Sequence, residues 1–465
     1  MIVMKFGGTS VQDAAAINRV AGIVASRQSR GPVVVVSAMA RVTDGLLLLA
    51  RAATERRLSE ALALITELRG RHLSVALELL NPAASSATDP FSLESVERSI
   101  AEQFAELEGL ARSIAMLGEL TPRSQDAIVS FGERLSSSLV AAAFRAHGIK
   151  SELVDSRSFI ITDDHFTSAS PRLAETYQRA RAALLPIVES GGVPIAQGFI
   201  GSTAEGVTTT IGRGGSDYSA ALIGAALEAE AIEIWTDVDG LMTADPRVAP
   251  DARRIRVISF AEASELSYFG AKVLHPSTVL PAIERRIPVH IFNTNNPSCE
   301  GTLIVAEPRP SSNPIKSIAF KRGVTIVNVA STRMLQAHGF LRAIFEVFDR
   351  NQTSVDVVTT SEVSVSITLD SDERLEAIKR DLGGIGEVTV EPTKAIVCVV
   401  GDNLKFTPGV AARLFRSIEE TNINMISQGA SEINLTFVID ESEVEPVVRS
   451  LHAEFFSEAD AAVFD

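Results

Sequence analysis

Aromatic side chains supply only 5% of the 465 residues, with a single tryptophan. A packed interior must therefore rest on Ala, Val, Leu and Ile. Cysteine is scarcer still. Cys299 and Cys398 fit neither a disulfide framework nor a metal knuckle, so a reducing, cytoplasmic setting is expected. Long apolar runs are missing, and stretches such as Val33–Val36 fall far short of the ~20 residues that span a bilayer. The start, MIVMKFGGTS, has no basic segment followed by an apolar run, so no secretory signal is expected. Positive charge is in deficit, with a net charge of -15, which argues against nucleic acid and anionic membrane as general partners. The common catalytic signatures GxxxxGK[ST], GxGxxG, GxSxG and HExxH do not occur. Asp237, Asp239 and Asp245 lack the spacing of a calcium loop, and His147, His275 and His290 show no ligand spacing, so no protein-built metal site is expected.

What the chain does contain is alternation. Its length predicts two or three domains. The apolar runs Ile2–Phe6 and Val33–Ser37 and the strand candidates Ser151–Val154, Val193–Gln197, Val207–Ile211, Ala231–Thr236 and Pro288–Phe292 are separated by helical patterns. This predicts an α/β fold, with a mostly parallel sheet covered by helices on both faces. Residues 51–122 interrupt the alternation as a helical insertion broken by a loop at Asn81–Ser92. The proline- and serine-rich stretch Ala306–Pro314 marks a domain boundary. Beyond it the sequence repeats: Gly339–Asp370 aligns without gaps on Gly409–Asp440, and Ile326, Val327 and Val329 match Ile396, Val397 and Val399. Two copies of one small unit are expected. The divisions read 1–305, 316–393 and 394–465.

Several segments could carry chemistry. Lys5 ends the first strand and Gly7 and Gly8 follow, with Ser10 placed to cap the next helix; glycine backbone N–H groups beside a lysine suit phosphate. Gly212, Arg213, Gly214 and Gly215 lead into a helix capped near Ser216, and Arg213 suits a carboxylate. Asp217 in that first turn serves a ligand or merely the helix dipole. Trp235–Val248 follows a strand and suits a nucleotide, or is an ordinary polar loop. Glu133 and Lys272 taken alone fit solvent-facing or snorkelled residues.

Taken in order, KFGGTS, FGERLSS, GFIGS, TTTIGRGGSDYSAAL, WTDVDGLMTADPRV, FGAKVLHP and TTSEVSV resemble the aspartate kinase family over nearly the whole chain. The helical insertion and SVDVVTTSEVSV make it most similar to the monofunctional, lysine-sensitive members, without a homoserine dehydrogenase domain. The resemblance implies an amino-acid-kinase fold followed by two ferredoxin-like ACT domains, the second of which can be inserted in the first. It also implies phosphorylation of L-aspartate by ATP with magnesium, giving 4-phospho-L-aspartate. Carried over by motif, Lys5, Asp217 and Lys272 are catalytic. Thr43, Glu133, Arg213, Gly214, Gly215 and Ser216 bind aspartate. Lys5, Gly7, Gly8, Thr236, Asp237, Met242, Arg247, Lys272 and Val273 bind the nucleotide. Met39 and Arg41 stand where many members carry small residues, as does Ala337 where a serine can occur.

The repeats differ in a way that points to an effector. Both carry a Ser–Glu pair, Ser361-Glu362 and Ser431-Glu432, but Asp356 aligns with Ile426. An acidic group with the free N–H groups of Gly339, Phe340 and Leu341 would suit an amino acid with a cationic tail, lysine. Asp356 could instead blunt an edge strand. The expected allosteric set is Met334, Gly339, Phe340, Leu341, Asp356, Thr360, Ser361 and Glu362, with a homodimer or homotetramer formed through the ACT domains. Kinases of the same fold acting on glutamate, N-acetylglutamate or a nucleotide, and a non-catalytic amino-acid sensor, are the competing readings.

Overall fold

Short β-branched runs become the strands of the first unit. The computed structural model describes residues 1–80, 91–269, 276–308, 313–331, 338–458, 460 and 462–465. The chain divides into two units, Met1–Gly240 with Leu274–Ala306, and Leu241–Val273 with Glu307–Asp465. In chain order the strands are β1 (Ile2–Phe6), β2 (Pro32–Val36), β3 (Ser151–Val154), β4 (Val193–Gln197), β5 (Ile200–Ser202), β6 (Thr208–Thr210), β7 (Ala231–Thr236), β8 (Val257–Ser259, in the second unit), β9 (Val289–Asn293) and β10 (Thr302–Val305).

The main sheet of the first unit runs β3-β4-β2-β1-β7-β9-β10. Every pairing is parallel except β9 with β10. All residues of β1 and β2 are buried, as befits central parallel strands covered on both faces. The threonine-rich run expected as a further strand, Val207–Ile211, stands outside this sheet. Its strand part, β6, pairs among the described residues with β5 alone, in an antiparallel hairpin that includes Thr210, and Thr210 N and Oγ1 both donate to Asp126.

The insertion is helical as expected. Leu58–Leu79 and Leu93–Leu117 pack through Ile65, Val75, Ile100, Phe104 and Ala111. Positions 81–90 of the loop between them lie outside the described residues, and Ser92 caps the second helix by accepting from Ser95 N. Pro122–Ala146 is apolar and long enough by composition to cross a bilayer, yet 83% of that apolar window is buried inside the unit. It is a core helix.

In the second unit the two repeated segments share one sheet, and strand pairing divides them at other positions than the sequence does. Its sheet runs β12-β13-β11-β14-β16-β15, where β11 is Ile315–Ala330, β12 Val358–Thr360, β13 Ser364–Leu369, β14 Glu387–Gly401, β15 Met425–Gln428 and β16 Asn434–Asp440. The repeated glycines take the same left-handed conformation before their helices, with φ 83 at Gly339 and 84 at Gly409. The long strands β11 and β14 serve both repeats. Thr325–Ala330 pairs with β13, whereas Ile315–Lys321 pairs with Ile396–Gly401, and that part of β14 pairs with β16. Positions 316–321, counted above with the first repeat, therefore belong by pairing to the second. The first repeat is nested within the second, the reverse of the insertion considered from sequence.

Leu241–Val273, counted above with the catalytic part, also packs in the second unit. Ser317 Oγ donates to the Met242 carbonyl at 2.8 Å, Ile318 N to that of Thr243 at 2.8 Å, and Asn434 Nδ2 to Glu265 at 2.7 Å. At the centre of this packing Lys316 Nζ lies 3.0 Å from Glu262, with both side chains almost wholly buried (1% and 2% exposed). Glu262 also closes a capping box with Ser259. Removing one partner of a buried pair strands the other charge. Lys316→Met should cost about 3–5 kcal/mol in denaturant unfolding of the second unit, and Lys316→Met with Glu262→Gln should recover part of it. A single variant as stable as the parent would show the pair to be energetically idle.

Candidate active site

The carboxyl ends of β1, β2 and β7 form the floor of the site. Lys5, next to last in β1, is 9% exposed and sends its ammonium to Asp217 Oδ1 at 2.7 Å. Asp217 is thus more than a helix-dipole residue, since it holds a cation from a strand far away in sequence. Gly7 N donates to the Trp235 carbonyl. A side chain at Gly8 would put its Cβ 2.9 Å from the Ala38 carbonyl, so glycine is required where this turn crosses the end of β2. Ser10 does not cap the following helix. It is buried in a 3-10 turn and shares a 2.7 Å bond with Thr294, while Asp13 caps Ala14–Ala25 by accepting from Ala16 N.

The loop after β2 is pinned from several sides. Ser37 N donates to the Phe6 carbonyl, Ala40 N to that of Gly8, and Ser136 Oγ to that of Ser37 at 2.7 Å. Arg71, from the helical insertion, donates to the Ala40 carbonyl at 2.7 Å. Met39 is buried in the core. Arg41 takes a left-handed φ of 65 just before the helix Val42–Thr54, whose first turn contains Thr43.

Glu133 lies under this loop. It begins the helix Phe131–Ala146 and is 3% exposed, contrary to the solvent-facing residue its sequence suggests. Oε1 accepts from Ala38 N at 3.1 Å, whereas Oε2 is buried with no hydrogen-bond partner among the described residues. Burial pushes the carboxyl up to about 8, although the Ala38 N–H pulls the other way. Such a group is a receiver for a donor, above all a cationic one.

The Arg213 loop leads from β6 into the helix Gly215–Leu227. Gly212 and Gly214 both have positive φ, 76 and 72, which accounts for glycine on either side of Arg213. The helix Gly215–Leu227 starts from Gly214 with no side-chain cap, so Ser216 packs against Gly198 and does not cap. Arg213 is exposed and makes no ion pair among the described residues. Asp126 was missed by the sequence reading. It is fully buried and accepts from Thr210 Oγ1, Thr210 N and Thr167 N at 2.7, 3.0 and 2.9 Å. A local pattern gives no hint of it, because its partners lie far along the chain.

The remaining assigned residues divide. Thr236 and the exposed Asp237 end β7 in the first unit. Met242 and Arg247 are in the second unit, where Arg247 pairs with its neighbour Asp245 at 2.6 Å. Lys272, Val273, Met334 and Ala337 lie outside the described residues. Asp356 has a 3% exposed carboxylate, paired with Lys321 at 2.9 Å and accepting from the Tyr268 hydroxyl at 2.6 Å. It is therefore no exposed edge-strand charge. Burial alone would lower Lys321, but Asp370 and Asp356 hold its ammonium above the usual range. Thr360, Ser361 and Glu362 are exposed at the β12–β13 turn, where Ser361 bonds Ser364. No hydrogen bond joins them or Asp356 to Gly339, Phe340 or Leu341 among the described residues.

The sequence model of the amino acid kinase family matches residues 1–293, and that of the ACT domain matches 397–455. Lysine-sensitive aspartokinase 3 of Escherichia coli (strain K12) is 38% identical over 471 residues, covering 98% of this chain and 99% of that protein. The chain belongs to the aspartokinase family. Aspartokinase 1, chloroplastic, of Arabidopsis thaliana is also 38% identical, over 98% of this chain and 80% of that one. The crystal structure of E. coli aspartokinase III with aspartate and ADP, in its R-state, superposes with a TM-score of 0.82 at 37% identity, covering 98% of this chain and 100% of that one. The same protein with lysine and aspartate, in its T-state, superposes equally well, covering 98% and 99%. The enzyme is thus an aspartate kinase with an amino-acid-kinase fold and ACT-type regulatory sequence.

If Glu133 receives the ammonium group of aspartate, its buried carboxyl gives binding a pH signature. An ammonium group received at Oε2 needs the ionised carboxylate and must expel the proton held in the empty site. Apparent affinity for aspartate should rise about tenfold per pH unit up to about pH 8 and then flatten. Glu133→Gln should bind weakly with no such slope. Measuring KM for aspartate from pH 6.5 to 9 checks this, and an unchanged slope in the variant would remove Glu133 from the site.

Proposed function

We propose that the chain transfers the terminal phosphoryl group of ATP to the side-chain carboxylate of L-aspartate, the first step towards lysine, threonine, methionine and diaminopimelate, and that lysine inhibits it. The observation that carries this reading is Lys5 held at the sheet edge by Asp217, 2.7 Å away. The acceptor carboxylate has an ordinary pKa of about 3.9 and is already ionised, so no general base is needed. The obstacle is an anion approaching a polyphosphate, and catalysis becomes positioning with charge neutralisation. Lys5 and the Gly7–Gly8 turn suit the phosphates, while Glu133 and Arg213, with Thr43 and Gly214–Ser216, suit the two ends of aspartate. The reading also places nucleotide contacts at Thr236, Asp237, Met242, Arg247, Lys272 and Val273.

Magnesium would enter with the nucleotide, neutralising phosphate charge. Asp237 and Asp239, both exposed at the end of β7, are oxygen donors suited to a hydrated ion. Two free cysteines, Cys299 and Cys398, support a reducing, cytoplasmic location. The division into a kinase unit and two nested ACT units belongs to this reading, as does a homodimer or homotetramer formed through the ACT units. A coupled ADP-release assay with aspartate tests the reaction. Lys5→Ala should lower kcat by orders of magnitude while changing KM for aspartate little, because its charge matters most in the transition state. An unchanged kcat would reject the role.

The effector reading acquires a specific form. Asp356 is already neutralised by Lys321, so an incoming lysine ammonium must compete with an internal one. Asp356 also holds Tyr268, four residues before Lys272 in the sequence, which offers a path from effector to catalytic motif. Asp356→Ala should abolish lysine inhibition and leave uninhibited turnover near normal. The same contacts favour a second reading, in which Asp356 only braces the fold. Titrating lysine against both proteins separates them: equal sensitivity with a lowered melting temperature supports the brace, and an insensitive parent removes lysine altogether.

A further inference from the structure

Asp126 has no ligand role in the reading above, yet its contacts converge on the substrate loop. Its carboxylate accepts both donors of Thr210, while the Thr210 carbonyl accepts from Ala169 N at 2.9 Å. Thr210 is thereby fixed on both sides. Three residues later comes Arg213, between two left-handed glycines that cannot by themselves hold a direction. The third donor, Thr167 N, belongs to a residue at φ 74, and the next residue, Ser168, lies against Gly212. The outer segment facing the glycine loop is therefore tied to the same carboxylate.

The position of Asp126 along its own helix is equally specific. It stands seven residues before Glu133. Ser130 N donates to the Asp126 carbonyl and Arg134 N to that of Ser130, so helical bonding continues through the junction at Ser130. Seven residues are close to two turns, placing both carboxylates on one face about 10 Å apart along the axis. One rod thus carries Glu133 beneath the β2 loop and Asp126 beneath the Arg213 loop.

We propose that Asp126 is a positioning residue for aspartate recognition, fixing the Arg213 loop at a set distance from Glu133. This rests on the assignment of Arg213 and Glu133 to substrate. Asp126 acts through hydrogen bonds and not through its charge. An asparagine there keeps an oxygen that can accept from both N–H groups, and the Thr210 hydroxyl can turn to accept from the amide.

Steady-state kinetics on the full chain test the proposal. Asp126→Ala should raise KM for aspartate at least tenfold, with KM for ATP within about twofold of the parent. Asp126→Asn should restore KM for aspartate to within a few-fold, and Thr210→Val, which removes one of the three donors, should give an intermediate rise. In an Arg213→Ala background Asp126→Ala should add little, since both act through one contact. Equal losses for aspartate and ATP, no rescue by asparagine, or a full additional loss in the Arg213→Ala background would each overturn it. If Arg213→Ala itself leaves KM for aspartate unchanged, the substrate assignment has failed instead. Should Asp126→Ala fail to fold, Thr210→Val and Asp126→Asn decide alone, and a parent-like KM in Thr210→Val would then reject the role.

Discussion

The site depends on keeping one ammonium group out of water in a chain of net charge -15. Lys5 achieves this only because β1 lies between β2 and β7 and because Asp217 is brought to it by another element. A buried cation without a partner would lose its proton or its place. The pairing therefore fixes where the helix Gly215–Leu227 starts relative to the sheet, and with it where the Arg213 loop can lie. On the proposed reading, an incoming phosphate does not need to create this charge. It needs only to share Lys5 with Asp217, and the cost of desolvating the lysine has already been met by folding.

Two buried carboxylates on one helical segment show how structure separates bracing from binding. Asp126 receives three hydrogen bonds, one through Oδ1 and two through Oδ2. Glu133 receives one from Ala38, and its second oxygen has none. Burial raises both groups, but only Glu133 is left with a deficit that a ligand can fill. An unsatisfied buried oxygen costs stability. Its presence beside a loop pinned by Ser136, Gly8 and Arg71 is what a site prepared for a cationic group would show.

Local sequence signals were read well and distant pairings were not. The strands Ile2–Phe6 and Ala231–Thr236 are visible because burial on both faces favours apolar residues, whereas Ser151–Val154 is an edge strand with Glu152 exposed. The Ser259–Glu262 capping box was visible because both partners lie within one turn. Ser10 was misassigned because a serine before a helix looks like a cap, and only the third dimension shows that Thr294 claims its hydroxyl while Asp13 does the capping. Asp126 was invisible for the same reason, its donors being 41 and 84 positions away. The run Val207–Ile211 has strand composition, but a strand is assigned to a sheet by its partners, and this one has only β5.

The nested repeat gives the proposed effector role of Asp356 a physical basis. Lys321 pairs with Ile396 just before a register shift, Val324 pairs with Lys394 beyond it, and Thr325 is the first β11 residue paired with β13 of the first repeat. The ammonium at that junction is held by Asp356 and Asp370, both from the first repeat. The two halves are thus joined through shared strands and through one lysine at the point where those strands change partners. A cation that competes for Asp356 acts on this junction directly. It can favour a different arrangement only by binding it more tightly, and displacing an internal lysine supplies such a difference. The internal contact must be lost in one arrangement and kept in the other.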